Sequence, residues 1–160
     1  MIKLKNHLPI ALGGGFLFFL IDQICKYFAH TNPHFSQYFI EPWLSFELFK
    51  NPGIAFGLPL QNSIVLIITP FIILYLILFL TKPSTKTSQQ QTWGSILVIA
   101  GALSNYFDRI LFGYTIDYIR ILNSVINLGD ISILIGVIYL ILQKQKPAVD
   151  KYSIDPPKKR

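Results

Sequence analysis

From Ile64 to Leu80 the chain carries no charged residue. So apolar a run can satisfy its backbone inside lipid only as a helix, or as a strand of a closed barrel. Spanning a hydrocarbon core of about 30 Å takes about 20 mostly apolar residues. Four stretches approach that length, at about 8–24, 64–80, 93–110 and 126–142. The composition agrees, with 52% hydrophobic and 14% charged residues and a mean hydropathy of +0.48. A soluble domain carries about a quarter charged residues, so a water-facing shell is hard to build here. The single cysteine excludes a disulfide framework and a cysteine-based zinc site. The expected fold is an all-α polytopic membrane protein, with four transmembrane helices and a small β-containing extracytoplasmic element. One domain covers 1–143, and the basic, proline-bearing tail 144–160 is expected to be disordered.

A net charge of +6 can suggest nucleic acid, but these charges flank apolar runs and follow the positive-inside rule, so no nucleic-acid partner is expected. Ten of the lysines and arginines fall before the first span, in the loop 81–91 and in the tail, against four (Lys26, Lys50, Arg109, Arg120) on the other side. Both termini are therefore expected in the cytoplasm. Six of the eight acids (Asp22, Glu41, Glu47, Asp108, Asp117, Asp130) fall at or near the outer face, where the chemistry is expected.

Lys3, Lys5, an apolar run and Cys25 imitate a lipoprotein signal, yet Asp22, Gln23 and Ile24 precede the cysteine where small residues are needed. The segment is expected to remain as an anchoring helix. The outer segment 25–62 is rich in aromatics, and its 43–49 stretch partly alternates, placing Leu44, Phe46 and Leu48 on one face before an Asn51-Pro52-Gly53 turn. A small hairpin or sheet resting on the outer leaflet is expected, with an irregular loop as the alternative.

An ionised carboxylate near a bilayer centre costs about 2.5–3.5 kcal/mol on insertion scales, so each such acid needs a partner or a purpose. Asp22 has Lys26 one turn later on the same helix face, and Asp108 stands beside Arg109; either of the latter two could pair with a neighbouring span. Structural roles are expected for Asp22, Lys26 and Asp108. Asp117 lies in the β-like stretch 114–119, and Asp130 lies one turn into the fourth span on a face shared with Asn127. A short loop allows the two carboxylates to meet, and a pair about 3 Å apart would share one proton, the aspartic-protease arrangement. The alternative from the residues alone is a wet loop residue and an interfacial helix cap.

Other chemistries are less well supported. His30 and His34 have metal-like spacing, but Pro33 interrupts the helix and no HExxH is present, so no metal or other cofactor is expected. Gly94-Ser95 lacks a nucleophile context, and Leu128-Gly129-Asp130 sits in too short a chain for a presenilin-type protease. A proton-coupled transporter would spread its acids through the depth of the spans, whereas these gather at one end.

Five motifs in order resemble the lipoprotein signal peptidase (type II signal peptidase) family. They are Asp22 to Lys26 (D-x-x-x-K), Asn51-Pro52-Gly53-Ile54-Ala55-Phe56-Gly57 (N-x-G-x-A-F-G), Ala100 to Arg109 (G-G-A-x-G-N-x-x-D-R), Gly113 to Tyr118 (G-x-V-x-D-F) and Asn127 to Asp130 (N-x-A-D). The resemblance implies an aspartic endopeptidase of the cytoplasmic membrane that cuts a diacylglyceryl-modified prolipoprotein just before its lipidated cysteine. It implies Asp117 and Asp130 as catalytic dyad, Asn51, Gly53, Asn105, Arg109 and Asn127 as site-lining residues, a monomer in contact with membrane lipid, and sensitivity to globomycin-type cyclic peptides. An inactive relative that binds such signal peptides is the other reading. Ala100, Ser104 and Gly129 depart from the family's usual Gly, Gly and Ala but stay small, so close helix packing is expected to survive. The stretch 118–129 is shorter than the family's, which bears on the lid and on selectivity.

Overall fold

The computed structural model describes residues 4–53, 61–82 and 88–142. The motif residues Ile54 to Gly57 and the tail 144–160 lie outside them. Among the described residues, four helices and four strands follow in the order α1 (Leu4–Thr31), β1 (Ser36–Ile40), β2 (Leu44–Asn51), α2 (Asn62–Thr81), α3 (Gln89–Phe112), β3 (Thr115–Ile121), β4 (Ser124–Ile126) and α4 (Leu128–Ile141). The strands form one antiparallel sheet in sequence order.

The protein is polar inside and apolar outside, the reverse of a water-soluble domain. Asp22, Lys26, Ser104, Asp108, Asp117 and Asn127 are buried, whereas Ile10, Phe16, Ile67, Phe71 and Tyr75 are exposed. In α1 the buried positions Ala11, Gly15, Asp22, Lys26 and Ala29 recur at helical spacing, so its one polar stripe is also its packing face. The segment His7–Thr31 and the helices α2 and α3 are long and apolar enough to cross a membrane, while α4 is a shorter apolar helix of 14 residues.

α3 is the central helix and touches α1, α2 and α4. Its register against α4 is set by glycines seven residues apart on each helix, two turns along one face: Gly94 meets Gly136 and Gly101 meets Gly129. A Cβ on Gly136 would stand 2.6 Å from Gly94 O and 2.9 Å from Val98 N, so backbone approaches backbone directly. Ser104 is fully buried and Ala100 nearly so, so the expected close packing holds with these residues in place.

Three features differ from expectation. α1 runs on to Thr31, so the outer segment expected from residue 25 begins inside the helix. The fourth apolar helix starts at Leu128, not at residue 126, because Asn127 caps it and Ser124–Ile126 pair as β4 with β3. The sheet is also larger than a hairpin within 25–62, since β3 and β4 extend it after α3; the irregular-loop alternative does not hold. Gly113 (φ 80°) ends α3 in the left-handed conformation that glycine adopts without penalty, turning the chain into β3. The 118–129 stretch is thus mostly a tight β3–β4 hairpin turning at Leu122 (φ 56°). Beneath the sheet, Phe46 and Leu48 pack with Ala29, Ile116 and Tyr118.

Overpacking a tight contact costs about 1–3 kcal/mol, so Gly136→Val should lower the thermal unfolding midpoint in detergent micelles, read by tryptophan fluorescence. Gly13→Ala, whose Cβ would meet nothing within 4 Å, should not lower it.

Candidate active site

The ends of α1 and α3, the start of α4 and strand β3 meet where the buried acids gather. Asp117 is brought in by β3 and is completely buried, which removes the wet-loop reading. Asp130 is the third residue of α4 and is half-buried, so it faces the open side of the site. It closes a capping box: its N–H donates to Asn127 Oδ1 (2.8 Å) and its carboxylate accepts from the Asn127 N–H (3.4 Å). Asn127 is thus the cap residue and Asp130 its partner within the helix, a structural role that does not exclude a second one.

Asn127 joins the two acids. Its side-chain oxygen is taken by Asp130 N–H, which leaves Nδ2 to donate to Asp117 Oδ1 at 2.6 Å. The other oxygen of Asp117 accepts from Asn51 Nδ2 at 2.8 Å, and Asn51 Oδ1 in turn accepts from Gly53 N at 2.9 Å. A bulge between Phe46 and Phe49 makes this possible. It shifts the register so that Asn51 stands opposite Thr115; without the extra residue it would oppose Tyr114.

Asp130 Oδ1 accepts from Asn105 Nδ2 at 2.8 Å, and Asn105 Oδ1 accepts from Lys26 Nζ at 2.8 Å. Lys26 also pairs with Asp22 (2.8 Å) and Asp108 (2.9 Å). The sequence pairing of Asp22 with Lys26 thus holds, and Asp108 finds its partner on a neighbouring helix. Asp108 also accepts from the Ile116 N–H at 3.1 Å, tying β3 to α3. Arg109 donates to Gly53 O and, at 3.0 Å, to Asn62 Oδ1, so its hydrogen bonds brace the chain on either side of 54–60. Asn51, Gly53, Asn105, Arg109 and Asn127 are therefore brought together around or just behind the two acids.

Two buried residues of this network were not expected in it. Tyr118 donates to Asp22 Oδ1 at 2.8 Å and accepts from Leu128 N at 3.2 Å, bridging α1, β3 and α4. Strand alternation could have found it, since it faces away from its neighbour Asp117. Ser104 donates to Asp22 Oδ2 at 2.5 Å and accepts from Lys26 at 3.0 Å and Gln23 at 2.7 Å; its small size had suggested packing alone.

Burial, and after it the nearby charge of Asp130, push Asp117 up to about 7, against the amide donors Asn51 and Asn127 that favour its charged form. A carboxyl poised near neutrality beside a second carboxyl can exchange protons with water and with a carbonyl group.

The fold and site define a membrane protein with a buried acidic centre at one end of its apolar helices. The family model described as signal peptidase (SPase) II matches residues 15–145. The lipoprotein signal peptidase of Bartonella henselae is 36% identical over 148 residues, covering 88% of this chain and 91% of the relative. That of Staphylococcus haemolyticus is 30% identical, covering 94% and 99%. Two solved bacterial membrane enzymes superpose with TM-scores of 0.74 and 0.72 at 29% and 27% identity, each covering 84% of this chain and 86% and 91% of their own. The chain belongs to the signal peptidase II family.

The folded protein holds the Asp117 proton to about pH 7, while an unfolded chain releases it near 3.8. The native state then binds more protons in that window, so this group's contribution to stability falls as pH rises through it. Asp117→Asn carries no such proton, and its thermal midpoint should gain on the wild type between about pH 4 and pH 7. A gap that stays constant with pH would contradict the assignment.

Proposed function

We propose that the chain is an aspartic endopeptidase that removes the signal peptide from diacylglyceryl-modified prolipoproteins just before the lipidated cysteine, with Asp117 and Asp130 as the catalytic dyad. The observation that carries this reading is that Asn127 donates to both carboxylates, its side-chain amide to Asp117 and its backbone N–H to Asp130, in a chain of the signal peptidase II family. One carboxylate accepts a proton from water as the water oxygen attacks the scissile carbonyl, and the other, protonated, donates to the carbonyl oxygen. Collapse of the tetrahedral intermediate returns a proton to the leaving amine and restores the shared-proton pair. No metal ion or organic cofactor takes part in these steps.

α4 is read as the fourth span, since it lies along α3 from Gly101 to Gly94 and its outward face is apolar. With the basic loop and tail in the cytoplasm, the dyad lies toward the outer face of the cytoplasmic membrane. The lipid chains of the substrate stay in the bilayer while the signal helix enters beside the spans, which fixes the scissile bond against the acids. The exposed Phe39, Ile40 and Trp43 at the β1–β2 turn rest on the outer leaflet. The protein acts as a monomer, and globomycin-type cyclic peptides compete for the dyad. The acids among the described residues gather at one end, which favours this reading over a proton-coupled transporter.

A positioned acid or base contributes about 10²–10⁴-fold, so Asp117→Asn and Asp130→Asn should each lower cleavage of a lipidated prolipoprotein at least that far while the protein stays folded. Full activity in either would sink the dyad, whereas a wild-type protein that binds the lipidated substrate without cutting it would be only a binding relative. The pH profile should lose activity above about 7, where Asp117 gives up its proton. A rate that is flat through pH 8 would argue against a shared proton.

A further inference from the structure

A lysine ammonium has donors only, so whichever atom of a neighbouring amide faces it must be the oxygen. Lys26 Nζ lies 2.8 Å from the Asn105 side chain, and this forces Asn105 Nδ2 toward Asp130 Oδ1, 2.8 Å away. The other two amides at the site have their polarity fixed by backbone N–H groups, Asn51 by Gly53 and Asn127 by Asp130. Of the three amides bonded to the two acids, Asn105 is the one whose polarity is set by a charged side chain, Lys26. If that amide flipped, its oxygen would face a carboxylate.

We propose that Lys26 is a positioning residue for the reaction, acting through Asn105 to keep an N–H donor on Asp130. It goes beyond the architectural role expected of Lys26, and it rests on the dyad reading above. The ammonium is placed for this task by three further partners: Asp22, Asp108 and Ser104, at 2.8, 2.9 and 3.0 Å. All three are buried, and Ser104 also donates to Asp22, so the lysine has no other place to go.

The test is a kinetic cycle in the full chain, reconstituted in lipid vesicles with a lipidated prolipoprotein. Lys26 faces two buried carboxylates, so Lys26→Met is paired with Asp22→Asn, which keeps the net charge of the cluster and leaves Asp108 its Ile116 N–H donor. K26M/D22N should lower kcat by at least about tenfold, the worth of a hydrogen bond to a charged group, with KM within about twofold. Asn105→Leu should lower kcat similarly, and the triple variant should be no slower than N105L. A purely structural lysine would instead give losses that multiply. Wild-type kcat in K26M/D22N, or multiplying losses, overturns the proposal. A second variant leaves the lysine in place: Asn105→Asp keeps a partner for Lys26 but turns an oxygen to Asp130, and should be slower than N105L. N105D equal to or faster than N105L also overturns it, and this comparison decides the matter should K26M/D22N not fold. The two readings fail separately. A fully active Asp130→Asn removes the dyad itself, whereas an inactive D130N beside an unimpaired K26M/D22N removes only the role of Lys26.

Discussion

One buried ammonium holds the polar centre together. Lys26 lies among Asp22, Asp108, Ser104 and Asn105 in a bundle whose outer surface is apolar, where a lone charge would be intolerable. Breaking a buried pair by removing one member costs about 3–5 kcal/mol, so the members are kept together or lost together. From this set the contacts run outward: Asp108 to the backbone of β3, Asp22 to Tyr118, and Asn105 to Asp130. The sheet is therefore fastened to the helices by charge-assisted bonds at its site-facing end as well as by the packing of Phe46 and Leu48.

The site combines rigid parts with one open side. Asp117 sits in a strand with both carboxylate oxygens bonded to amides, while Asp130, in the first turn of α4, is only half-buried. Glycines at the α3–α4 contact let the helices approach backbone to backbone, and Gly129 keeps the same contact clear near the acids. A Cβ there would stand 2.9 Å from Asn127 Oδ1, 3.0 Å from Asn105 Oδ1 and 3.1 Å from Asp22 Oδ2. Close helix packing and the polar centre are thus one constraint.

Much of this was legible in the sequence because it depends on local spacing. Asp22 and Lys26 are one helical turn apart, Asn127 and Asp130 have the spacing of a capping box, and apolar runs mark the long helices. What escaped depends on register and on partners distant in sequence. Asn51 reaches Asp117 only through a bulge, and bulges leave no firm trace in an alternating pattern. Arg109 could have paired with any acid near the outer face, yet it donates to Gly53 and Asn62, partners distant in sequence. Ile126 belongs to β4 and not to the fourth span because its backbone pairs with Ile119, a choice that hydropathy does not register. Ser104 and Tyr118 carry single hydroxyls whose value appears only when elements distant in sequence converge on them, α1 on Ser104 and both α1 and α4 on Tyr118.

The central claim joins this buried centre to a lipid-anchored substrate. The most direct measurement is cleavage by the purified protein in lipid vesicles of a diacylglyceryl-modified prolipoprotein and its unlipidated twin, with both products weighed by mass spectrometry. The account requires that only the lipidated form is cut, at one bond, leaving the modified cysteine as the new N-terminus. Equal cutting of both forms, cutting at another bond, or no cutting of either would contradict it.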